Sequence, residues 1–181
     1  ITAYYRKRLD EALESRALGR SSYGTSECRF TPDPALSFNR GFTDYFLNGT
    51  AGEIESFETP KAQGKPVGSV TASNGAMLQV SDGIFSPGDG IAVMTSRGLT
   101  GAFVNGFSAG RIRLSTPIKA APGDPVYLNH SAPFEKAVAG ESCARTIPVE
   151  ITVTSTPEGD ALRVSARAET AETIAAEARA E

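Results

Sequence analysis

Leu78-Gln79-Val80, Ile84 and Pro87-Gly88-Asp89-Gly90-Ile91-Ala92-Val93 set out a pattern that Ile112-Arg113-Leu114, Ile118 and Pro122-Gly123-Asp124-Pro125-Val126-Tyr127-Leu128 repeat. In each copy a strand with alternating apolar residues passes through a bend into a Pro-Gly-Asp turn, and another strand follows. Proline fixes φ at the first inner position of the turn, and glycine supplies the positive φ that a type II turn needs at the second. Both copies lie in the stretch from Gly64 to Leu128, a run of short β-rich segments broken by Gly, Pro, Asn and Asp. The pattern predicts strands over 67–73, 76–81, 90–95, 99–107, 111–114 and 126–129. Asn74-Gly75 between the first two is a hairpin signal. Pro125 has no N–H to donate, so it must begin its strand or lie on an edge. Six strands built from a duplicated unit fit a small closed barrel, which leaves no exposed edge.

Upstream, Tyr5, Leu9, Ala12 and Leu13 fall on one face at helical spacing, which predicts a helix over 2–17 with Gly19 as its stop. Arg6, Lys7 and Arg8 near the start of that helix oppose its macrodipole by about 0.3–1 kcal/mol each. The expectation is therefore a helix that begins before Ile1, with the basic triplet on a solvated face. Residues 20–37 are rich in Ser, Gly and Pro and read as an irregular wrap. Phe38 to Gly49 then gathers four aromatics in twelve residues, too many for a free loop. Thr43 is placed to cap a short turn through Leu47, ended by Gly49, and Gly52 to Pro60 returns to loop.

Downstream, 132–138 reads as one helical turn, and Gly140 marks a boundary. Val149, Ile151 and Val153 alternate with polar residues, as do Leu162, Val164 and Ala166. Joined by Pro157-Glu158-Gly159-Asp160, they predict a hairpin with one apolar face. Ala171 to Ala180 is rich in Ala and Glu and predicts a helix. The organisation expected is a linking helix over 1–19, an irregular wrap over 20–63, a barrel over 64–138, and a hairpin plus helix over 139–181. A hairpin and one helix bury too little surface to stand alone. That last module should pack on the barrel, on another chain, or on protein outside this sequence.

The chain has 181 residues, 40% of them hydrophobic and 22% charged, with a net charge of -3. That supports one modest core and gives no reason to expect broad electrostatic capture of nucleic acid. No apolar run approaches the roughly 20 residues a membrane span needs, so no membrane partner is expected. Cys28 and Cys143 lie far apart and outside any Cys-x-x-Cys pair, so both are expected as free thiols in a reducing cytoplasm.

Catalytic groups are scarce. His130 is the single histidine, and neighbouring Ser131 would point to the opposite face of a strand. Asp89 and Asp124 occupy equivalent places in the two copies; paired carboxylates can serve as acid and base, but each has sufficient employment in its turn. No metal-ligand spacing and no phosphate-binding glycine loop is present. The stretch singled out is Asn39-Arg40-Gly41-Phe42-Thr43. Arg40 has the chemistry to clamp a phosphate or carboxylate, with Phe38 and Phe42 beside it for stacking. The competing reading is structural: the aromatics anchor the segment on the barrel while Asn39 and Arg40 satisfy backbone carbonyls.

Phe38-Asn39-Arg40-Gly41-Phe42-Thr43 with Tyr45-Phe46-Leu47-Asn48-Gly49 resembles a signature of the collagenase-like peptidase U32 family. The helix at 3–10, Gly64-Lys65-Pro66-Val67-Gly68-Ser69-Val70 and Gly88-Asp89-Gly90 accompany it in the order that family uses, and the resemblance runs to about Pro148. Larger members carry a TIM-like domain ahead of this region, followed by a small barrel like the second domain of translation elongation factors. The resemblance implies a mainly β fold, a six-stranded elongation-factor-domain-2-like barrel with an N-terminal helix and a C-terminal β-hairpin plus helix. It implies a non-catalytic, substrate-positioning role beside the missing TIM-like domain. The parent would be a hydroxylase of RNA bases, or alternatively a collagenase-like protease to which the barrel presents protein; a purely structural barrel is the third alternative. The partners implied are that domain and either RNA or a protein substrate. No cofactor is expected in this chain, and an iron–sulfur cluster, if the parent carries one, belongs to the missing part. No catalytic residue carries over; Asn39, Arg40, Gly41, Phe42 and Thr43 carry over as a substrate-facing or structural motif.

Overall fold

The computed structural model describes residues 1–44, 47, 49, 59–155, 161–168 and 173–179. Along the chain run α1 (Thr2–Ser15), β1 (Thr25–Cys28), a 3₁₀ turn (Pro34–Leu36), β2 (Lys65–Ser73), β3 (Met77–Val80), β4 (Gly90–Thr95), β5 (Gly98–Ser108), β6 (Arg111–Leu114), β7 (Pro125–His130), α2 (Ala132–Val138), β8 (Cys143–Thr146), β9 (Val149–Ser155), β10 (Ala161–Ala168) and β11 (Thr173–Arg179). The chain divides into two units, one of Phe30–Gly140 and one that joins Thr2–Arg29 to Glu141–Glu181. The two ends of the sequence, expected as separate modules, thus belong to one unit.

The first unit is the barrel. All six expected strands form, and they close antiparallel in the order β2-β3-β6-β5-β4-β7. Pro125 begins β7 opposite Ser69, where its missing N–H costs no ladder bond inside the strand. Asn74 and Gly75 turn β2 into β3, with the Met77 amide donating to Asn74 Oδ1 at 2.8 Å.

The repeat extends further than a strand pair. β2-β3-β4 and β5-β6-β7 are equivalent three-strand units, and exchanging one for the other maps the ring onto itself. Both first strands carry an irregularity at the same place, between Val70 and Ala72 and between Val104 and Gly106. Ser81 N–H donates to Ser69 O at 2.9 Å while Ser81 Oγ accepts from Ser69 N–H at 3.0 Å. Ser115 makes the same two bonds with Phe103, at 2.8 and 3.0 Å.

Each Pro-Gly-Asp turn docks on the first strand of the other copy. Gly88 N–H donates to Val104 O and Val104 N–H to Asp89 O, both at 2.8 Å. Gly123 N–H donates to Val70 O at 2.8 Å and Val70 N–H to Asp124 O at 2.9 Å. Gly88 and Gly123 sit at φ 91° and 95°, the second inner position of a type II turn.

The core follows the repeat as pairs: Val70 with Val104, Leu78 with Ile112, Val80 with Leu114, Ile91 with Val126, all buried. One expected pair fails. Ile118 is buried, but Ile84 is 88% exposed and Phe85 takes the interior place. Phe85 meets Phe107 edge to face, ring centroids 5.4 Å apart. The first copy's bend has one residue fewer than the second's, which shifts the inward side chain by one position.

The second unit departs more from expectation. α1 buries no side chain, and its face of Tyr5 and Leu9 is exposed. It stops before Gly19: Ala17 adopts φ 51°, with Leu18 N–H donating to Leu13 O at 2.9 Å and Ala17 N–H to Glu14 O at 3.1 Å. This is the Schellman closure, made by alanine instead of glycine. Of the basic triplet, Arg6 pairs with Asp10 at 2.7 Å and Arg8 with Glu11 at 2.8 Å.

Residues 25–28, expected as irregular wrap, form β1 and pair with β8, Thr25 opposite Thr146 through Cys28 opposite Cys143. The cysteines are not free thiols; they form a disulfide, with Cα atoms 4.1 Å apart. The next pair outward is hydrogen-bonded, Arg29 N–H to Ser142 O at 2.8 Å. Cys28 and Cys143 therefore occupy a non-hydrogen-bonded pair, where opposed side chains come closest. A separation of 115 residues hid that register from the sequence. Among the described residues no helix is long and apolar enough to cross a membrane.

β9, β10 and β11 make an antiparallel three-stranded sheet with β10 in the centre. The helix expected over 171–180 is instead strand β11, paired with β10 from Ala161 opposite Arg179 to Arg167 opposite Thr173. Alanine and glutamate favour a helix only by tenths of a kcal/mol per residue, a preference small enough for pairing with β10 to override. The turn at 157–160 lies outside the described residues.

Candidate functional site

The 3₁₀ turn Pro34–Leu36 prepares the segment singled out in the sequence. Asp33 caps it, accepting from Ala35 N–H at 3.0 Å, and also takes Lys65 Nζ of β2 at 2.8 Å. Asn39 then folds the chain back on itself. Its Nδ2 donates to Ala35 O at 2.9 Å and to Ser37 O at 2.8 Å, and its Oδ1 accepts from Gly41 N–H at 3.3 Å. Its own carbonyl accepts from Gln63 N–H at 2.9 Å. Asn39 is thus committed to structure, and Gly41 sits at φ 103° where a side chain is disfavoured.

Around that knot the remaining side chains point outward. Phe38 is 70% and Phe42 69% exposed, so neither anchors the segment on the barrel. The Arg40 guanidinium lies over the Phe38 ring, 5.6 Å from its centroid. Thr43 is exposed, and Leu47 N–H donates to Asp44 O at 2.7 Å in a single turn. Tyr45, Phe46 and Asn48 of the motif, and 51–58 of the following loop, lie outside the described residues. The arrangement is a tethered loop that offers one cation and two aromatic faces, the combination that stacks bases and meets phosphates.

The groups with catalytic potential are spent elsewhere. Asp89 is buried and accepts from Ser86 N–H and from Ala132 N–H, both at 2.8 Å. Asp124 accepts from Ala121 N–H at 2.8 Å. Both carboxylates therefore hold turns, as their sequence positions predict. His130 ends β7, half-buried, with its ring edge-on to Phe103 at 6.3 Å. Ser131 caps α2, its Oγ accepting from Phe134 N–H at 3.4 Å. Among the described residues no three His, Cys, Asp or Glu side chains gather as metal ligands.

The sequence reading passed over the outer face of β6. Arg111 and Arg113 are exposed while Ile112 and Leu114 are buried. The strict alternation of Arg111-Ile112-Arg113-Leu114 was the available signal.

The class defined by these observations is a small closed antiparallel barrel carrying a surface loop that presents Arg40, Phe38 and Phe42. Over 163 residues the chain is 33% identical to the 23S rRNA 5-hydroxycytidine C2501 synthase of Escherichia coli (strain K12). The match takes in 83% of this chain and 25% of that protein, so the chain spans about a quarter of the length of the curated relative it matches. No family model matches the chain, and no solved structure does.

Proposed function

We propose that this chain is a non-catalytic, substrate-positioning barrel of a U32-type RNA base hydroxylase. The observation that carries the reading is the identity along most of the chain to a synthase that hydroxylates a cytidine of ribosomal RNA. The chemistry is assigned to the rest of the parent, with a TIM-like domain as the barrel's covalent partner. Supporting this, Asp89, Asp124 and Ser131 are occupied with turns and a helix cap. An iron–sulfur cluster needs several cysteine thiolates; this chain has two cysteines, bonded to each other, and its residues do not fit one.

Within the chain, the Arg40 guanidinium and the Phe38 and Phe42 rings meet RNA, and Asn39 and Gly41 shape the loop that presents them. Stacking a base on an aromatic ring is worth roughly 1–3 kcal/mol. Titration of a labelled single-stranded oligoribonucleotide into the protein tests this. Binding by the wild type, weakened severalfold by Arg40→Ala and by Phe42→Ala, is the expected result. Wild-type protein that leaves the RNA free overturns the reading. Unchanged affinity in both variants removes the loop from it.

A further inference from the structure

We infer that the outer face of β3-β6-β5 is a second RNA-binding surface, on which Arg111 and Arg113 contact successive phosphates; this rests on the RNA-positioning reading above. The two residues are two positions apart on one strand, so their side chains leave the same face of the sheet about 6.6 Å apart. That spacing is of the order of neighbouring phosphates on an extended strand. Among the described residues neither has an ion-pair partner. Arg113 runs past Gly106 at ordinary contact distance and donates from its guanidinium to Asn105 O at 3.4 Å.

The surroundings favour a polyanion. Two shallow grooves flank the pair and meet at Met77 and Arg111; no carboxylate lines either one, and Gln79 and Ser108 add polar atoms. The chain as a whole carries a net charge of -3, so a face with two arginines and no acid stands apart from it. The internal repeat provides a built-in comparison. Arg111 and Arg113 occupy the places that Met77 and Gln79 hold in the first copy, and β3 and β6 lie side by side with Met77 opposite Arg113 and Gln79 opposite Arg111. The barrel needs no charge at those places, because the first copy folds the same way without it.

A fluorescence-polarisation titration of the 181-residue chain with a labelled twelve-nucleotide single-stranded RNA, across a range of salt concentrations, tests the surface. Arg111→Ala with Arg113→Ala is expected to weaken binding at least tenfold and to flatten the salt dependence. Each lost contact to a single strand lowers the slope of log affinity against log salt by about 0.7. Arg111→Lys with Arg113→Lys should keep the slope, and Arg97→Ala, at an exposed hairpin turn, should change neither. A double alanine variant that binds with wild-type affinity and slope overturns this surface while leaving the RNA-positioning reading intact. Wild-type protein that binds no RNA overturns both. Equal loss from Arg97→Ala overturns it in favour of diffuse charge, and displacement of the RNA by polyglutamate at matched charge overturns it in favour of an acidic protein.

Discussion

The two copies of the repeat agree inside the barrel and differ outside it. Leu78 and Ile112, Val80 and Leu114, and Ile91 and Val126 are matched and buried, and both turns seat themselves on the opposite copy through the same pair of backbone bonds. The outward positions of β3 and β6 share nothing: methionine and glutamine in one copy, two arginines in the other. The bends differ too, burying Phe85 in one and Ile118 in the other. The shared features are those that closing the barrel requires; where closure makes no demand, the copies have diverged, and specialised chemistry is to be sought there.

That contrast can be broken most forcefully in the core. Leu78→Ala and Ile112→Ala, both at fully buried positions, should each cost about 2–5 kcal/mol in denaturant unfolding. A cost confined to one copy would show that the halves do not share one core. At the bends, Ile118→Ala should cost a similar amount, while Ile84→Ser should stay within about 0.5 kcal/mol. Equal losses would mean that Ile84 is covered. The turns give a finer test. Asp89→Ala strands two amide donors and should cost roughly 2–3 kcal/mol, against about 1 kcal/mol for Asp124→Ala, which strands one. Thermal melts of the two variants side by side would show equal losses if the Ala132 bond contributes nothing. The smallest effect belongs to the outer face: Gln79→Arg, which makes the first copy resemble the second, should move stability by no more than about 0.5 kcal/mol.

The barrel was legible because its signals are local. Pro-Gly-Asp, Asn-Gly and the alternation around Leu78 and Ile112 each act within a few residues, and together they fix six strands. β2 and β5, the first strand of each unit, were not legible as part of the repeat because they share a bulge and a serine partner, not a string of like residues. Ser81 and Ser115 follow Val80 and Leu114 directly, and that coincidence was the missed clue. In the second unit the decisive contacts lie outside the segments they shape. Nothing near Cys28 announces Cys143, and nothing within 173–179 announces the neighbour that turns a helix-forming composition into a strand. The candidate loop was found by its crowding of aromatics, but composition did not reveal that Phe38 and Phe42 stay on the surface. Arg111 and Arg113 were quoted within a strand pattern and read only for what lay between them.

The bond between Cys28 and Cys143 has a topological consequence. It closes the intervening polypeptide into a covalent ring that contains every strand of the barrel. A protease that nicks any loop between those cysteines opens the ring without releasing a piece. On a gel without reductant the cut protein would migrate as one species, and only thiol treatment would show the break.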